Sequence, residues 1–146
     1  MQPSTVLLTA TLAATGLAAP APESVSMKAA IPDWTIESLV RTCNAADTAC
    51  EWKFGINTHL ATVTPCAFTV KAAAGKKASQ TDTAGNACGA FTVSAGWSGQ
   101  FVEGFTTLSV VDYAARLITW PAYTDGQLAN GKAVVPDKSW PVSKLQ

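Results

Sequence analysis

Four cysteines, at positions 43, 50, 66 and 88, constrain what this chain can fold into more than any other feature. In an oxidising compartment an even number of cysteines is most simply explained by disulfides, and four cysteines allow three ways of forming two bonds. A zinc site is the rival interpretation. Neither the Cys43/Cys50 spacing nor the Cys66/Cys88 spacing matches the short separation, about two to four residues, that is typical of paired zinc ligands. The single histidine, His59, is not close to another candidate ligand in the sequence. We therefore expect two disulfides, no metal and no cofactor.

The N-terminal sequence predicts export, and with it the oxidising compartment. Val6–Ala14 is an apolar run too short to span a bilayer, and small residues follow it up to Ala18. No later stretch is apolar for long enough to cross a membrane, so we expect no integral membrane segment. The predicted organisation is a signal peptide over residues 1–18, a flexible, proline-containing leader over residues 19–32 and a single β domain over residues 33–146.

The charge of the chain argues against several classes of partner. Ten acidic and ten basic residues give a formal net charge of zero, and the longest run of like charge is Lys76 and Lys77. A nucleic-acid-binding or anionic-lipid-binding surface needs a basic patch, and this sequence shows none. We expect no nucleic-acid partner.

Apolar and polar residues alternate with a period of two through much of the predicted domain, which is typical of half-buried strands. In the first such segment Trp34, Ile36 and Val40 are predicted to face inward, and Glu37 and Arg41 outward. The residues predicted to face inward in the next segments are Cys50, Trp52, Phe54 and Ile56, then Cys66, Phe68 and Val70, then Phe91, Val93, Ala95 and Trp97.

The strand pattern also predicts how the cysteines pair. Cys43 and Cys50 bracket a six-residue polar loop between the first two strands, so a hairpin would bring them together. By elimination Cys66 pairs with Cys88. That second bond would close the long polar loop predicted over Ala72–Ala87.

The remaining segments complete an all-β pattern. We predict one bent strand or two strands over Phe101–Asp112, another over Arg116–Trp120 and a short one over Lys132–Val135. Val111–Leu117 is a weak candidate for a short helix. About seven short strands with regular turn signals favour an all-β fold, either a small antiparallel β-barrel or a sandwich, with two disulfides.

Residues capable of catalysis are few, and no motif groups them. His59 is a candidate general acid or base, together with Glu103 and Arg116, as in a small secreted ribonuclease or hydrolase. Paired carboxylates for a glycosidase would have to come from Glu103, Asp112 and Asp125. Since nothing in the sequence places these residues together, we expect a protein that is not an enzyme.

Five tryptophans are many for a chain of this size. Trp34, Trp52 and Trp97 lie on predicted inward faces and are expected in the core. Trp120 and Trp140 each precede a proline in the turn-rich C-terminal third, with Tyr123 nearby. These three aromatics either cover an edge of the sheet or form a recognition patch for a partner or a carbohydrate.

Several stretches carry a resemblance to a known group of proteins. They include WTIESLVRTC, ACEWKFGI, PCAFTVKA, GWSGQF and WPAYTDG. On these the chain resembles the small secreted cysteine-rich proteins of filamentous fungi, most closely the hypersensitive-response-inducing elicitor group of rice-blast-type plant pathogens. The Trp-x-Ile start and Cys88-Gly89 are more faintly similar to the major allergen family of Alternaria, although this chain lacks cysteines after Cys88.

The resemblance implies a β-barrel or sandwich that acts in the plant apoplast and is detected by plant immunity, and it implies no catalytic residues. We therefore expect a secreted, extracellular fungal effector or elicitor that binds a host extracellular protein or surface receptor without catalysis. Two alternatives stay open: a small secreted hydrolase using His59 or paired carboxylates, and a structural protein of the cell wall or surface.

Overall fold

The structure, a computed structural model, describes residues 30–146. The predicted signal peptide and most of the predicted leader lie outside the described residues. Within the described part, no helix is long and apolar enough to cross a bilayer. Among residues 30–146, one four-residue helix, α1 (Asp125–Leu128), and two short 3₁₀ turns, Ala78–Gln80 and Ala129–Gly131, accompany the strands.

The strands are short, and ten form among the described residues rather than the seven or so that the sequence predicts. They are β1 (Trp34–Cys43), β2 (Ala49–Asn57), β3 (Thr64–Lys71), β4 (Thr83–Cys88), β5 (Phe91–Ser98), β6 (Phe105–Asp112), β7 (Leu117–Thr119), β8 (Ala122–Thr124), β9 (Lys138–Trp140) and β10 (Ser143–Lys144).

Two antiparallel sheets build the domain. The first has four strands in the order β3-β2-β1-β9, and the second has the order β10-β7-β6-β5-β4, with β8 also paired to β6. The apolar faces of both sheets contribute to one buried core. The sheets do not close on each other, so the predicted all-β class is confirmed in its sandwich form.

Aromatic side chains fill the space between the sheets. Trp34 of β1 meets Phe91 of β5 edge to face, with ring centroids 5.3 Å apart, and so contacts the opposite sheet. Within the first sheet, Phe68 stacks on Trp52 at 6.1 Å and meets Phe54 edge-on at 6.3 Å. Trp34 and Trp52 are both buried, as the alternation predicts.

Both pairs of cysteines form disulfides in this structure. Cys43–Cys50 closes the β1–β2 hairpin. Cys66–Cys88 connects β3 to β4, and these are the outer strands of the two different sheets. The second bond therefore joins the sheets along one side of the sandwich.

A β-bulge in β1 overturns the predicted outward position of Arg41. Residues 37 and 40 of β1 pair with residues 55 and 53 of β2, so two residues of β1 oppose one of β2. Ser38 is the extra residue, with φ of 52°. The bulge shifts the alternation by one residue, so Leu39 and Arg41 face inward while Val40 is half-buried.

Three other predicted segments differ from the structure. The predicted long loop before Cys88 contains β4, which is added to the edge of the second sheet. Lys132–Val135 forms no strand, and the C-terminal segment pairs instead through β9 and β10. Val111–Leu117 is not helical, because β6 runs to Asp112 and a tight turn leads into β7. Two- and three-residue strands are too short to show alternation in the sequence.

Candidate functional site

Two adjacent, exposed apolar side chains lie in the connection between β5 and β6, residues 99–104, which we call the apolar loop. Phe101 is 64% exposed and Val102 is fully exposed. The sequence predicts Phe101 as the start of a strand, whereas β6 begins only at Phe105. Large apolar side chains held in water at a loop tip are typical of a contact surface.

Trp97 packs against the backbone at both ends of the apolar loop. The sequence predicts Trp97 in the core, but the structure leaves it partly exposed at the end of β5. A Cβ at Gly99 would lie 2.6 Å from its indole ring, and one at Gly104 would lie 2.7 Å from it. Both ends of the loop therefore need glycine, because the backbone packs directly on the ring.

Hydrogen bonds fix the loop to α1. The indole Nε1 of Trp97 donates to the carboxylate of Asp125 at 3.1 Å, and the Asp125 amide donates to the Gly104 carbonyl at 2.8 Å. Glu103 accepts from the Gly126 amide at 2.6 Å. A capping box between Thr124 and Gln127 fixes the start of α1 itself. The exposed tip is thus held at its base by several hydrogen bonds to α1.

Beside the tip lies an apolar groove of about 560 Å³, which we call the loop groove. Phe105 forms one wall and stacks with Phe101, with ring centroids 5.6 Å apart. The lining residues are Phe101, Val102, Glu103, Phe105, Ala122, Tyr123 and Thr124.

The predicted patch of Trp120, Tyr123 and Trp140 does not form one exposed surface. Tyr123 is 1% exposed, because β8 pairs Tyr123 with the buried Thr106 of β6. Trp140 is half-buried and meets the Tyr123 ring edge-on at 5.7 Å. Trp120 is 50% exposed and lines a shallow depression over β5 and β6 with Ser94 and Thr107. Trp120 is thus the one member of the predicted patch that offers much of its ring to solvent.

The buried Tyr123 hydroxyl makes no well-formed hydrogen bond among the described residues, although the Trp140 indole lies near it and partly opposes the effect of burial on its pKa. Burial raises the pKa of Tyr123 to about 12. An unfolded tyrosine ionises near pH 10, so above that pH the unfolded state binds fewer protons than the folded state. The contribution of the neutral phenol to stability is complete below about pH 10 and is lost as the pH rises towards about 12.

We therefore expect the free energy of unfolding to fall by roughly 1 to 2 kcal/mol between about pH 9 and pH 11, because the folded state keeps Tyr123 neutral. Urea denaturation across this range measures the fall. Tyr123→Phe should remove that part of the pH dependence, because phenylalanine has no proton to lose. An equally steep fall in Tyr123→Phe would contradict this account.

His59 has different neighbours from those the sequence suggests. It lies exposed after β2, and its Nε2 is 2.7 Å from Thr35 Oγ1, which is 2.7 Å from Ser139 Oγ. Glu103 is engaged with Gly126, and the guanidinium of Arg116 donates to the Leu145 carbonyl. The predicted group of His59, Glu103 and Arg116 therefore has no shared contact.

Each of the three candidate carboxylates accepts a hydrogen bond from a neighbouring group in the fold. Glu103 and Asp125 hold the apolar loop, and Asp112 accepts from the Ala115 amide in the turn between β6 and β7 at 3.0 Å. Each carboxylate thus stabilises the backbone or an aromatic side chain.

Sequence reasoning missed the apolar loop, although its glycines mark both ends. Gly99 and Gly104 enclose only four residues, and a turn signal at each end indicates a loop rather than a continuous strand. The apolar character of Phe101 and Val102 instead indicated a strand, because strands and exposed contact loops are rich in the same residue types.

Comparisons with known proteins agree with one another. Residues 35–145 match the family model described as Effector TSP1. The chain is also 48% identical over 143 residues to a protein of Hypocrea virens (strain Gv29-8 / FGSC 10586) named Effector TSP1, with 97% of this chain and 96% of that protein covered. The match spans both sheets, both disulfides and the apolar loop. The chain therefore belongs to the Effector TSP1 family.

Proposed function

We propose that this protein is a secreted, non-catalytic fungal effector that binds a host extracellular protein in the plant apoplast through the apolar loop and elicits host defence or cell death. Family membership supports the effector role. The two disulfides suit an oxidising, extracellular compartment. The observation that carries the proposal is the exposed Phe101–Val102 tip, whose base is held to α1 by hydrogen bonds.

The composition of the loop groove favours a protein partner over a membrane. Among its lining residues Glu103 carries a negative charge, and none is Lys or Arg. An anionic lipid surface would be repelled by that carboxylate and would find no cation there. A protein surface with an apolar pocket matches both the two projecting side chains and the groove beside them.

The double variant Phe101→Ser with Val102→Ser should weaken the host response strongly, because it removes both projecting apolar groups while their backbone anchors stay. We expect the protein concentration that gives a half-maximal defence response to rise about 30-fold or more. The measurement is a dose series of purified protein infiltrated into leaf tissue, scored for cell death and defence-gene induction.

Leu60→Ser is the matched control, since Leu60 is 75% exposed but lies in the β2–β3 connection. It should leave the response unchanged. A double variant as potent as the unmodified protein would refute the role of the loop, and no response to the unmodified protein at micromolar dose would refute elicitation itself.

A small hydrolase is the second candidate, and the 2.7 Å contact between His59 and the Thr35 hydroxyl favours it, because catalytic bases contact their nucleophiles at this distance. Activity on RNA, glycan or ester substrates that His59→Ala abolishes would support an enzyme. A cell-wall role is distinguished by fractionation, because a wall component stays with the hyphae and an effector appears in the medium.

A further inference from the structure

A second cavity, about 430 Å³ in volume, shares no lining residue with the loop groove, and we call it the arginine cleft. Strand β1, the β1–β2 hairpin and the segment around α1 contribute to its walls. The lining residues are Arg41, Thr42, Cys43, Asp47, Ser79, Leu128, Asn130 and Gly131. A polar cavity of this size is large enough for a small ligand.

Arg41 enters the cleft because of the bulge at Ser38, and the fold leaves its guanidinium poorly paired. The side chain is only 7% exposed. Its Nη1 donates to the Ser79 carbonyl at 3.5 Å, which is a long hydrogen bond, and its buried Nε has no partner within residues 30–146. Buried donors in proteins are nearly always satisfied, so this guanidinium is short of acceptors. Because Nε itself is fully buried, a ligand in the cleft would reach the Nη groups.

Nearby carboxylates do not supply that acceptor. Asp47 accepts from both the amide and the hydroxyl of Ser79, and Asp125 accepts from Trp97. In the described part of the chain Arg41 forms no ion pair. Its guanidinium lies instead over the Trp52 ring, 5.8 Å from the centroid. Burial lowers the pKa of Arg41 from its ordinary value, and Asp125 and Asp47 partly oppose this.

The mixture of charges at the cleft decides which ligand fits. A free anion would pair with Arg41 but would be repelled by Asp47, which lines the same cavity. A hydroxyl group both accepts and donates, so adjacent hydroxyls can accept from Arg41 and donate to Asp47, whose carboxylate has capacity for more hydrogen bonds. The exposed Asn130 amide offers a further donor and acceptor.

We propose that the arginine cleft binds a neutral saccharide: a pair of adjacent hydroxyls joins Arg41 to Asp47, and Asn130 holds a third oxygen. This site shares no lining residue with the loop groove, and its ligand does not depend on the proposed partner of the apolar loop. Its Trp52, beneath the guanidinium, provides a fluorescent reporter of occupancy.

The test uses the purified protein, produced with both disulfides formed, and hexasaccharides of the cellulose, xylan, chitin and β-1,3-glucan types. Calorimetric titration and tryptophan fluorescence measure binding. We expect millimolar or tighter binding of at least one oligosaccharide. Arg41→Lys keeps the charge but loses the planar fork of donors, and it should weaken binding about tenfold.

Asn130→Gly is a second variant that we expect to fold normally, because Asn130 is exposed and its φ of 64° suits glycine. It should weaken binding roughly fivefold. The Phe101→Ser and Val102→Ser double variant should bind the saccharide normally, so failure of the loop proposal and failure of this one can be told apart. No binding of any oligosaccharide at millimolar concentration, binding of glucuronate or phosphate alone, or undiminished binding by both cleft variants would overturn the proposal.

Discussion

Replacing Cys66 and Cys88 together by alanine should lower the free energy of unfolding by about 3 to 5 kcal/mol. The disulfide joins residues that are 22 positions apart and so restricts a long loop in the unfolded chain. It also connects the outer strands of the two sheets, which are not paired with each other. Chemical denaturation with tryptophan fluorescence measures the loss.

The matched control is the double alanine variant of Cys43 and Cys50, whose separation is only seven residues. Backbone pairing already closes this hairpin, since the Asn44 amide donates to the Ala49 carbonyl at 3.0 Å. We expect a smaller loss, about 2 kcal/mol. A larger loss here than at Cys66 and Cys88 would show that loop length and sheet bridging do not govern the stabilisation.

Regular alternation made the central strands predictable. In β2 the inward set of Cys50, Trp52, Phe54 and Ile56 is buried throughout, because nothing interrupts the period of two. Strand β1 shows the limit of this reasoning. The bulge at Ser38 depends on pairing with β2 and on the Asp137 carboxylate, which accepts from the Ser38 amide at 2.8 Å. Asp137 is 99 residues away in sequence, so local pattern contains no sign of it.

The candidate sites were harder to predict than the fold, because the burial of a side chain depends on tertiary packing. Tyr123 and Trp120 lie three residues apart in a turn-rich segment, yet one is buried and the other half exposed. The pairing of β8 with β6 decides this difference, and a three-residue strand leaves no periodic signal. Arg41 was predicted to face solvent because the sequence alternation alone places it on the outer face. The bulge at Ser38 turns it to the inner face. The likenesses to the rice-blast elicitor group and to the Alternaria allergens remain predictions.

Trp34→Ala should destabilise the protein by about 3 to 5 kcal/mol, a loss comparable to that of the bond between the sheets. Trp34 is 2% exposed and touches Phe91 of the opposite sheet, so truncation leaves a cavity between the sheets and removes an aromatic pair. Its backbone position in β1 also pairs with Trp140 of β9. Urea denaturation at neutral pH gives the free energy directly.

Trp120→Ala removes the same indole from a half-exposed position and is the appropriate comparison. We expect a loss below about 1 kcal/mol, because the side chain faces solvent across β5 and β6 and no cavity forms. The ratio of the two losses tests whether the core lies between the sheets as described. Similar losses at both positions would mean that the outer face of the second sheet is also covered in solution, and that Trp120 contributes to packing rather than to an exposed surface.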